Sequence, residues 1–235
     1  MGGSHPHVPV LYEDNHVIVV VKPPNVPTQE DASRDPDLLT LIKADLKERH
    51  QKPGNVYLGL VHRLDRPVGG VMVFAKTSKA ASRLSDAVRT RTIRKVYTAV
   101  VNGKPKEPQG TLQHHLLKDT KTNMVSVVPA SKTGAKEAVL DYRVLSGRDG
   151  LSLVQVELHT GRPHQIRVQF AAIGCPLVGD QRYGGAQAKP GQQIALWSTL
   201  LEFTHPVTQE ALRFTSEPPG AFPWLLWDLK AAGAV

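Results

Sequence analysis

The alternation of apolar and polar positions predicts many short strands and a few irregularly placed helices. A β-branched run over 17–21 ends at Pro23 and Pro24, which predicts a strand followed by a rigid extended loop. Residues 152–158 alternate with the two-residue period of a half-buried strand. Many strands with few helices favour an α+β fold built on a mixed, mostly antiparallel sheet.

Three segments carry helical signals. Apolar residues at helical spacing predict a helix over 37–49. Thr77 or Ser78 can cap a second helix, because both side chains accept hydrogen bonds from the first turn. A third helix can start at Pro163 and end at Gly174, following the preference for proline at the first helical position and glycine after the last.

Length and composition narrow the class of protein. The 235 residues are 40% hydrophobic and 21% charged, which excludes a disordered chain, and the longest aliphatic run is far too short to span a membrane. We expect one domain over 11–235, preceded by an extension over 1–10. A single cysteine, Cys175, and the absence of a signal region favour the reducing cytoplasm.

Positive charge is concentrated in one part of the chain. Residues 60–110 contain eleven basic and three acidic side chains and so carry the whole net charge of +8. Such a segment is typical of a surface that binds a polyanion, most simply a nucleic-acid backbone. A solvated basic helix and strand would give the same pattern, and charge alone leaves both interpretations open.

The sequence HRLDRPVGG (62–70) is the first candidate for chemistry. Its carboxylate, Asp65, lies between the guanidinium groups of Arg63 and Arg66 in a predicted loop between two short strands. Neighbouring positive charge keeps a carboxylate ionised, and such a group can act as a nucleophile or a general base. The alternative is a loop ion pair without chemistry.

A second candidate is HTGRPHQIRVQF (159–170). Here Arg162, His164 and Arg167 gather at a predicted helix N-terminus, and the last two lie three residues apart on one helical face. Because cations oppose the helix dipole at that end, a carboxylate or phosphate partner would relieve the conflict. A basic first turn on an exposed helix is the alternative.

Other signals are weaker. Tyr97 lies in a predicted strand, RKVYTAVV, where it serves either as core or as a stacking surface for an unstacked base. The spacing of the ten histidines does not match a metal site, and we predict none. The glycines of GDQRYGG (179–185) match neither a P-loop nor a dinucleotide motif and predict turns.

Together these segments resemble the RluA-type family of RNA pseudouridine synthases. The resemblance extends from residue 11 to about 215 through five blocks in family order: LYEDNHVIVVVKPPNVP, HRLDRPVGGVMVFAKT, RKVYTAVVNG, TGRPHQIRVQFAAIGCPLVGDQRYGG and LLEFTHPVTQEALRF. It implies the family's fold, a mixed, mostly antiparallel sheet with a central catalytic cleft. It also implies isomerisation of a uridine in RNA, without cofactor or metal.

The resemblance also implies roles for individual residues. The catalytic aspartate of the family falls on Asp65, and its active-site tyrosine falls on Tyr97. The arginine that pairs with the aspartate falls on Arg167, so contact between the two is expected. Arg63 falls on the arginine that takes the place of the flipped base.

Two departures and one absence set this chain apart from the usual family pattern. Pro67 and Val68 stand in a loop that usually reads Thr-Ser-Gly after HRLDR, and Gln169 stands where histidine is common. Neither change removes a group required by the chemistry, although both can alter loop conformation. With about ten residues before the first block, no separate N-terminal RNA-binding domain is expected.

These considerations lead to a specific set of expectations. The protein modifies ribosomal or transfer RNA as a cytoplasmic monomer. Its catalytic residues are Asp65, Tyr97 and Arg167. Substrate binding is assigned to His62, Arg63, Arg162 and His164, and contact with the RNA backbone to Lys79, Arg83, Arg94 and Lys95.

Two other functions stay open at this stage. One is an RNA-binding protein without activity on the same fold, which the joint presence of Asp65, Tyr97 and Arg167 disfavours. The other is a nuclease or glycosidase, which requires a second carboxylate or a metal set that HRLD does not offer nearby.

Overall fold

A computed structural model describes residues 8–234. Within them, eleven strands and three α-helices follow one another in the order β1 (Val10–Glu13), β2 (Val17–Lys22), α1 (Leu38–Arg49), β3 (Gly59–Leu60), β4 (Gly69–Ala75), α2 (Ser78–Arg89), β5 (Arg94–Asn102), β6 (Gln109–Lys118), β7 (Val125–Val128), β8 (Lys136–Arg148), β9 (Leu151–Leu158), α3 (Gln165–Ala172), β10 (Leu196–Thr204) and β11 (Ala211–Thr215). The predicted α+β class and mostly antiparallel sheet are confirmed.

The chain divides into two compact units. The first contains the described residues up to Ile93 together with Leu200–Ser216, and the second contains Arg94–Thr199 together with the residues from Glu217 onward. Strand β10 contributes to both, because its first four residues belong to the second unit and the rest to the first. Neither composition nor a linker marks this division in the sequence.

The core of the first unit is rich in valine. Its strand order is β1-β2-β4-β10-β11, with β3 paired to β4. Val17 and Val19 of β2 pack with Val71 and Val73 of β4, all fully buried, and helix α2 covers them through residues that include Leu84. Helix α2 is capped by the predicted residue, since the Thr77 hydroxyl accepts a hydrogen bond from the amide of Ala80 at 3.1 Å.

In the second unit the strand order is β10-β5-β9-β8-β6-β7. Helix α3 packs against this sheet through Val168, which joins Leu116, Val125 and Ala138 in a buried cluster. The long antiparallel pairings of β6, β8 and β9 fix the register of the strands that lie beneath the helix.

The predicted N-terminal ends of α1 and α2 are confirmed, and the predicted N-terminal end of α3 is wrong. The carboxylate of Asp37 accepts the Thr40 amide at 3.0 Å and starts α1. In contrast, α3 begins two residues after Pro163, because His164 has a left-handed backbone (φ 53°, ψ 19°) that cannot continue a helix. The helix ends at Ala172, before Gly174, whose positive φ of 77° turns the chain away.

Candidate active site

The loop that carries Asp65, residues 61–68, connects β3 to β4 as predicted. It is held from below, since the buried hydroxyl of Thr28 donates a hydrogen bond to the carbonyl of Leu64 at 2.9 Å. The carbonyl of Asp65 itself accepts the amide of Val68 at 3.0 Å and closes a turn. Asp65 is therefore half-buried on a loop whose backbone is fixed on both sides of it.

Lys22 is a functional candidate that the sequence analysis missed. It is fully buried at the end of β2, and its Nζ donates to the carbonyls of Pro23 and Arg66, each at 2.9 Å. Burial lowers the pKa of Lys22 to about 7, although the nearby negative charge of Asp65 acts in the opposite direction. The only sign in the sequence is a lysine directly after a run of valines and before two prolines.

Arg66 does not share the expected arrangement of two guanidinium groups around Asp65. Its Nη1 donates to the Ser33 hydroxyl at 2.7 Å and faces Asp31 at 3.5 Å, while its Nη2 pairs with Asp35. The expectation was wrong for this arginine, because an acidic loop that is remote in sequence, residues 30–37, supplies its partners.

His62 and Arg63 occupy different environments in the same loop. The ring Nε2 of His62 accepts the amide of Val73 at 3.1 Å, which ties the loop to β4. Arg63 is exposed, and its side chain makes no hydrogen bond or ion pair within residues 8–234. A guanidinium in this setting can bind an incoming polar or anionic group without first losing a protein partner.

The buried part of the second unit contains Tyr97 and Arg167. Tyr97 lies in β5 opposite Val156 and is 6% exposed. Arg167 lies in the first turn of α3 and is buried, and its guanidinium is forked onto Asp180, with Nε 2.9 Å from Oδ2 and Nη2 2.8 Å from Oδ1. The anionic partner expected near this helix start is therefore, within the second unit, a carboxylate of the GDQRYGG loop.

His164 and Arg167 meet at Tyr183 rather than on a shared helical face. The hydroxyl of Tyr183 lies 2.7 Å from Nδ1 of His164 and accepts the amide of Val125 at 3.0 Å. The Tyr183 ring lies under the guanidinium of Arg167, with 5.2 Å between Cζ and the ring centroid. The predicted common face is wrong because His164 precedes the helix.

Two of the remaining candidates in this unit, Arg162 and Arg94, have protein partners. Arg162 donates through Nε to the Glu137 carbonyl at 2.8 Å, and Arg94 binds Glu157 through Nε and Nη2, both at 3.0 Å. Burial lowers the pKa of Lys95. An RNA phosphate at Arg94 would therefore compete with a carboxylate.

Helix α2 carries the other two candidates for contact with the RNA backbone. Lys79 is exposed and makes no hydrogen bond or ion pair with any part of the chain that the structure describes. Arg83 is also exposed, but its Nη1 donates to the carbonyl of Pro206 in the turn between β10 and β11. The two side chains therefore differ in what they already hold.

Gln169, one of the departures from the family pattern, has a structural role. Its fully buried amide nitrogen donates to the carbonyls of Leu112 and Ala138, at 3.0 and 3.2 Å, and so joins α3 to β6 and β8.

Asp65 belongs to the first unit, whereas Tyr97 and Arg167 belong to the second. The expected contact of Asp65 with these two residues stays a prediction.

Residues 8–234 offer neither a metal cluster nor a membrane-spanning helix. They contain no cluster of three His, Cys, Asp or Glu side chains able to hold a metal ion. No helix among them is long and apolar enough to cross a membrane.

Comparison with known proteins adds an independent line of information. The model of a family described as RNA pseudouridylate synthase matches residues 16–172. An uncharacterized RNA pseudouridine synthase of Bacillus subtilis, YjbO, is 35% identical over 214 residues, which cover 89% of this chain and 72% of that protein. The ribosomal large subunit pseudouridine synthase D of Pseudomonas aeruginosa is 34% identical, covering 92% of this chain and 70% of that protein.

Solved structures resemble the fold. Human RNA pseudouridylate synthase domain containing 4 superposes with a TM-score of 0.76 at 23% identity, over 90% of this chain and 88% of that one. Human RNA pseudouridylate synthase domain containing 1 gives a TM-score of 0.73 at 24% identity, over 94% and 87%. At these identities the likeness concerns the fold alone.

Proposed function

The chain belongs to the RNA pseudouridylate synthase family and is an isomerase acting on RNA, and from that premise we propose that Asp65 is its catalytic carboxylate. The observation that carries the proposal is the construction of the Asp65 loop. Thr28 and Lys22 hold the carbonyls of Leu64 and Arg66, on either side of Asp65. A carboxylate that must meet one carbon of a bound nucleoside requires a backbone fixed in this way.

The reaction proposed for this site is an isomerisation that needs no other reactant. The bond between N1 of uracil and C1′ of ribose breaks, the base turns, and a bond forms between C5 and C1′. The proton on C5 is lost and N1 gains one, so atoms and charge balance. Because nothing is oxidised or transferred to a second molecule, no cofactor or metal is proposed.

The roles of the other residues follow from the chemistry. A base within folded RNA must leave its stack to reach the carboxylate, at a cost of a few kcal/mol. Arg63, exposed and without a protein partner in residues 8–234, suits the role of filling the space that the base leaves. Tyr97 stacks on the uracil, and Arg167 keeps Asp65 ionised and in place.

Contacts further from the reacting bond complete the assignment. His62, Arg162 and His164 bind the substrate near the reacting nucleotide. Phosphate contacts come from Lys79 and Arg83 on α2 and, in competition with Glu157, from Arg94. Lys95 adds positive charge at the same strand end.

Ribosomal RNA is the proposed substrate. Support comes from relatives named ribosomal large subunit pseudouridine synthase D, which are 34% identical in Pseudomonas aeruginosa and 32% identical in Haemophilus influenzae. Transfer RNA is the alternative target. We place the protein in the cytoplasm, where ribosomes are assembled, and propose that it acts as a monomer.

The test combines three measurements on the same set of proteins. Uridine-labelled ribosomal RNA from a strain that lacks the gene is incubated with wild type, Asp65→Asn and the control Asp86→Asn, and pseudouridine, strand scission and bound RNA are quantified. We expect pseudouridine from wild type and from the control. In Asp65→Asn the rate of pseudouridine formation should fall by a factor on the order of 1,000 or more, as expected when a catalytic group is removed, while RNA binding is retained.

Each outcome has a distinct meaning. Scission by wild type would indicate a nuclease, and binding without a product would indicate an inactive RNA-binding protein. Pseudouridine formed by Asp65→Asn at the wild-type rate would remove Asp65 from its role. Asp86 suits the control because it is an exposed carboxylate on α2 that pairs with Arg89.

A further inference from the structure

Asp180 lies in the loop between α3 and β10, in a segment whose sequence predicts only turns. Its side chain is fully buried and its carboxylate accepts four hydrogen bonds. Two come from Nε and Nη2 of Arg167, and two come from the backbone amides of Arg182 and Tyr183, at 2.9 and 3.1 Å. Such saturation is what a carboxylate requires in order to stay charged away from water.

The geometry of the pair fixes the plane of the arginine. Nε and Nη2 form one edge of a planar guanidinium, and two parallel hydrogen bonds along that edge to Asp180 prevent rotation about the Cζ bonds. Tyr183 restrains the face of the same group from 5.2 Å. The hydrogens on Nη1 are therefore directed away from Asp180 in a constant direction.

The loop around Asp180 is tightly built. Gly179 has φ of 74°, and a Cβ placed on it would overlap the carbonyl oxygen of Gln193. A Cβ on Gly184 would overlap the carbonyl oxygen of Asp180. The two glycines therefore let the chain close around this carboxylate.

The electrostatics agree with a permanent pair. Burial by itself raises the pKa of Asp180, but the hydrogen bonds and charge of Arg167 outweigh burial and hold it below its usual value. The carboxylate is thus ionised at neutral pH, and the two opposite charges neutralise each other within the unit. Arg167 is thereby held as a charged donor of fixed direction for a further partner.

We propose that Asp180 is a positioning residue for Arg167, which sets the plane of the guanidinium and so the direction in which Nη1 is presented to the reacting site. The inference rests on the proposed function, in which Arg167 holds Asp65. Asp180 itself touches neither substrate nor reacting atoms in this scheme and acts through the arginine.

A double-mutant cycle separates positioning from mere structural support. Pseudouridine formation is measured for wild type, Asp180→Asn, Arg167→Lys and the combination of both. We expect Asp180→Asn to lower kcat at least tenfold with KM for RNA changed less than threefold, since RNA binding surfaces stay intact. In the Arg167→Lys background the same change should cost no more than about twofold, because no planar fork is left to orient. An equal loss in both backgrounds overturns the proposal.

Asp228→Asn is the matched control. Asp228 also accepts two backbone amides, from Lys230 and Ala231 at 3.1 and 3.0 Å, but binds no arginine. Its substitution should leave kcat and KM unchanged. A tenfold loss of kcat in Asp228→Asn would mean that any Asx turn of this unit matters equally, and would overturn the specific role of Asp180.

A measurement on the unmodified protein covers the case in which Asp180→Asn does not fold. With ¹⁵N-labelled arginine, the side chain of Arg167, assigned by its loss in Arg167→Lys, should show separate Nη1 and Nη2 signals because rotation is blocked. A single averaged Nη signal would overturn the proposal. This readout needs no activity, so it stands even if wild type forms no pseudouridine, which would overturn the proposed function instead.

Discussion

Arg66 and Arg167 are both forked onto carboxylates, the first exposed to solvent and the second in the interior. Arg66 binds Asp31 and Asp35 with 40% of its side chain exposed, whereas Arg167 binds Asp180 with 5% exposed. The donor in both cases is a guanidinium group. The difference lies in what water and salt can do to each pair.

Exposure decides what such a pair contributes. Water and dissolved ions screen an exposed pair, which typically contributes about 0–1 kcal/mol and can be exchanged for another anion. A buried pair cannot be opened without leaving a charge stranded in a medium of low dielectric constant. The fork at Arg66 is thus replaceable, and the fork at Arg167 belongs to the architecture.

The largest expected effect comes from breaking the buried fork. Asp180→Ala should lower the free energy of unfolding by about 3–5 kcal/mol, because the buried Arg167 loses both hydrogen bonds and the compensating charge of Asp180. Urea denaturation measures this, with Asp31→Ala as the matched change in the exposed fork. Equal destabilisation by the two variants would mean that burial does not distinguish the pairs.

Lys22 extends the comparison to a buried cation paired mainly with carbonyl groups. Its pKa of about 7 lies below the ordinary value of 10.5. Between these values the unfolded chain binds a proton that the folded protein has released, so the free energy of unfolding rises with pH. One such proton changes the folding equilibrium constant by at most about tenfold per pH unit.

The measurement for Lys22 is a difference between two proteins. The free energy of unfolding of wild type minus that of Lys22→Met should increase as pH rises from about 7 toward 10, while other groups cancel. A difference that stays constant over this range would show that Lys22 keeps its ordinary pKa.

Lys79 and Arg83 of α2 are exposed cations that RNA phosphates can bind in exchange for dissolved ions. Replacing Lys79 and Arg83 together by alanine should weaken RNA binding on the order of tenfold and flatten the dependence of log K on log salt by about 1.5, through lost phosphate contacts. Activity on a short, saturating substrate should fall less than affinity. Filter binding over a salt series tests this, with Lys230→Ala, which removes an exposed cation paired with Glu217, as the control.

An unchanged salt slope in the Lys79 and Arg83 variant would mean that this face of α2 is only solvated. The single variants add detail, because Arg83 also holds the Pro206 carbonyl and Lys79 does not. Arg83→Ala alone should therefore loosen the turn between β10 and β11, visible as faster amide exchange there.

The smallest effect is expected at the exposed fork. Arg66→Ala should change the free energy of unfolding by less than about 1 kcal/mol, and high salt should abolish most of that change. Thermal unfolding at low and high salt measures it. A loss that persists in high salt would show that the acidic loop holds Arg66 more firmly than its exposure indicates.

Local signals allowed parts of this fold to be predicted from sequence. The N-terminal ends of α1 and α2 follow from capping side chains that act within three residues, at Asp37 and Thr77. The start of α3 could not be predicted in this way, because no capping side chain marks it and His164 has a left-handed backbone. The side chain of His164 contacts a residue that is distant in sequence, Tyr183.

The site was predictable only where its chemistry lies in a motif. Asp65 and Arg167 stand in segments whose charge pattern and family resemblance draw attention to them. Asp180 and Lys22 do not, because a buried aspartate in a glycine-bearing loop looks like a turn residue, and a lysine at a strand end looks solvated. Their importance arises from burial, which only the tertiary structure creates.

The construction of the first unit from two separate stretches of chain has a consequence for synthesis. Leu201 and Phe203, which complete its valine core, leave the ribosome about 110 residues after Ile93. At ordinary elongation rates of about 5–20 residues per second, that interval lasts on the order of 5–20 s. During it the valine-rich surface of β2 and β4 lacks its final cover, so the nascent chain has a period of vulnerability to aggregation that the finished protein does not share.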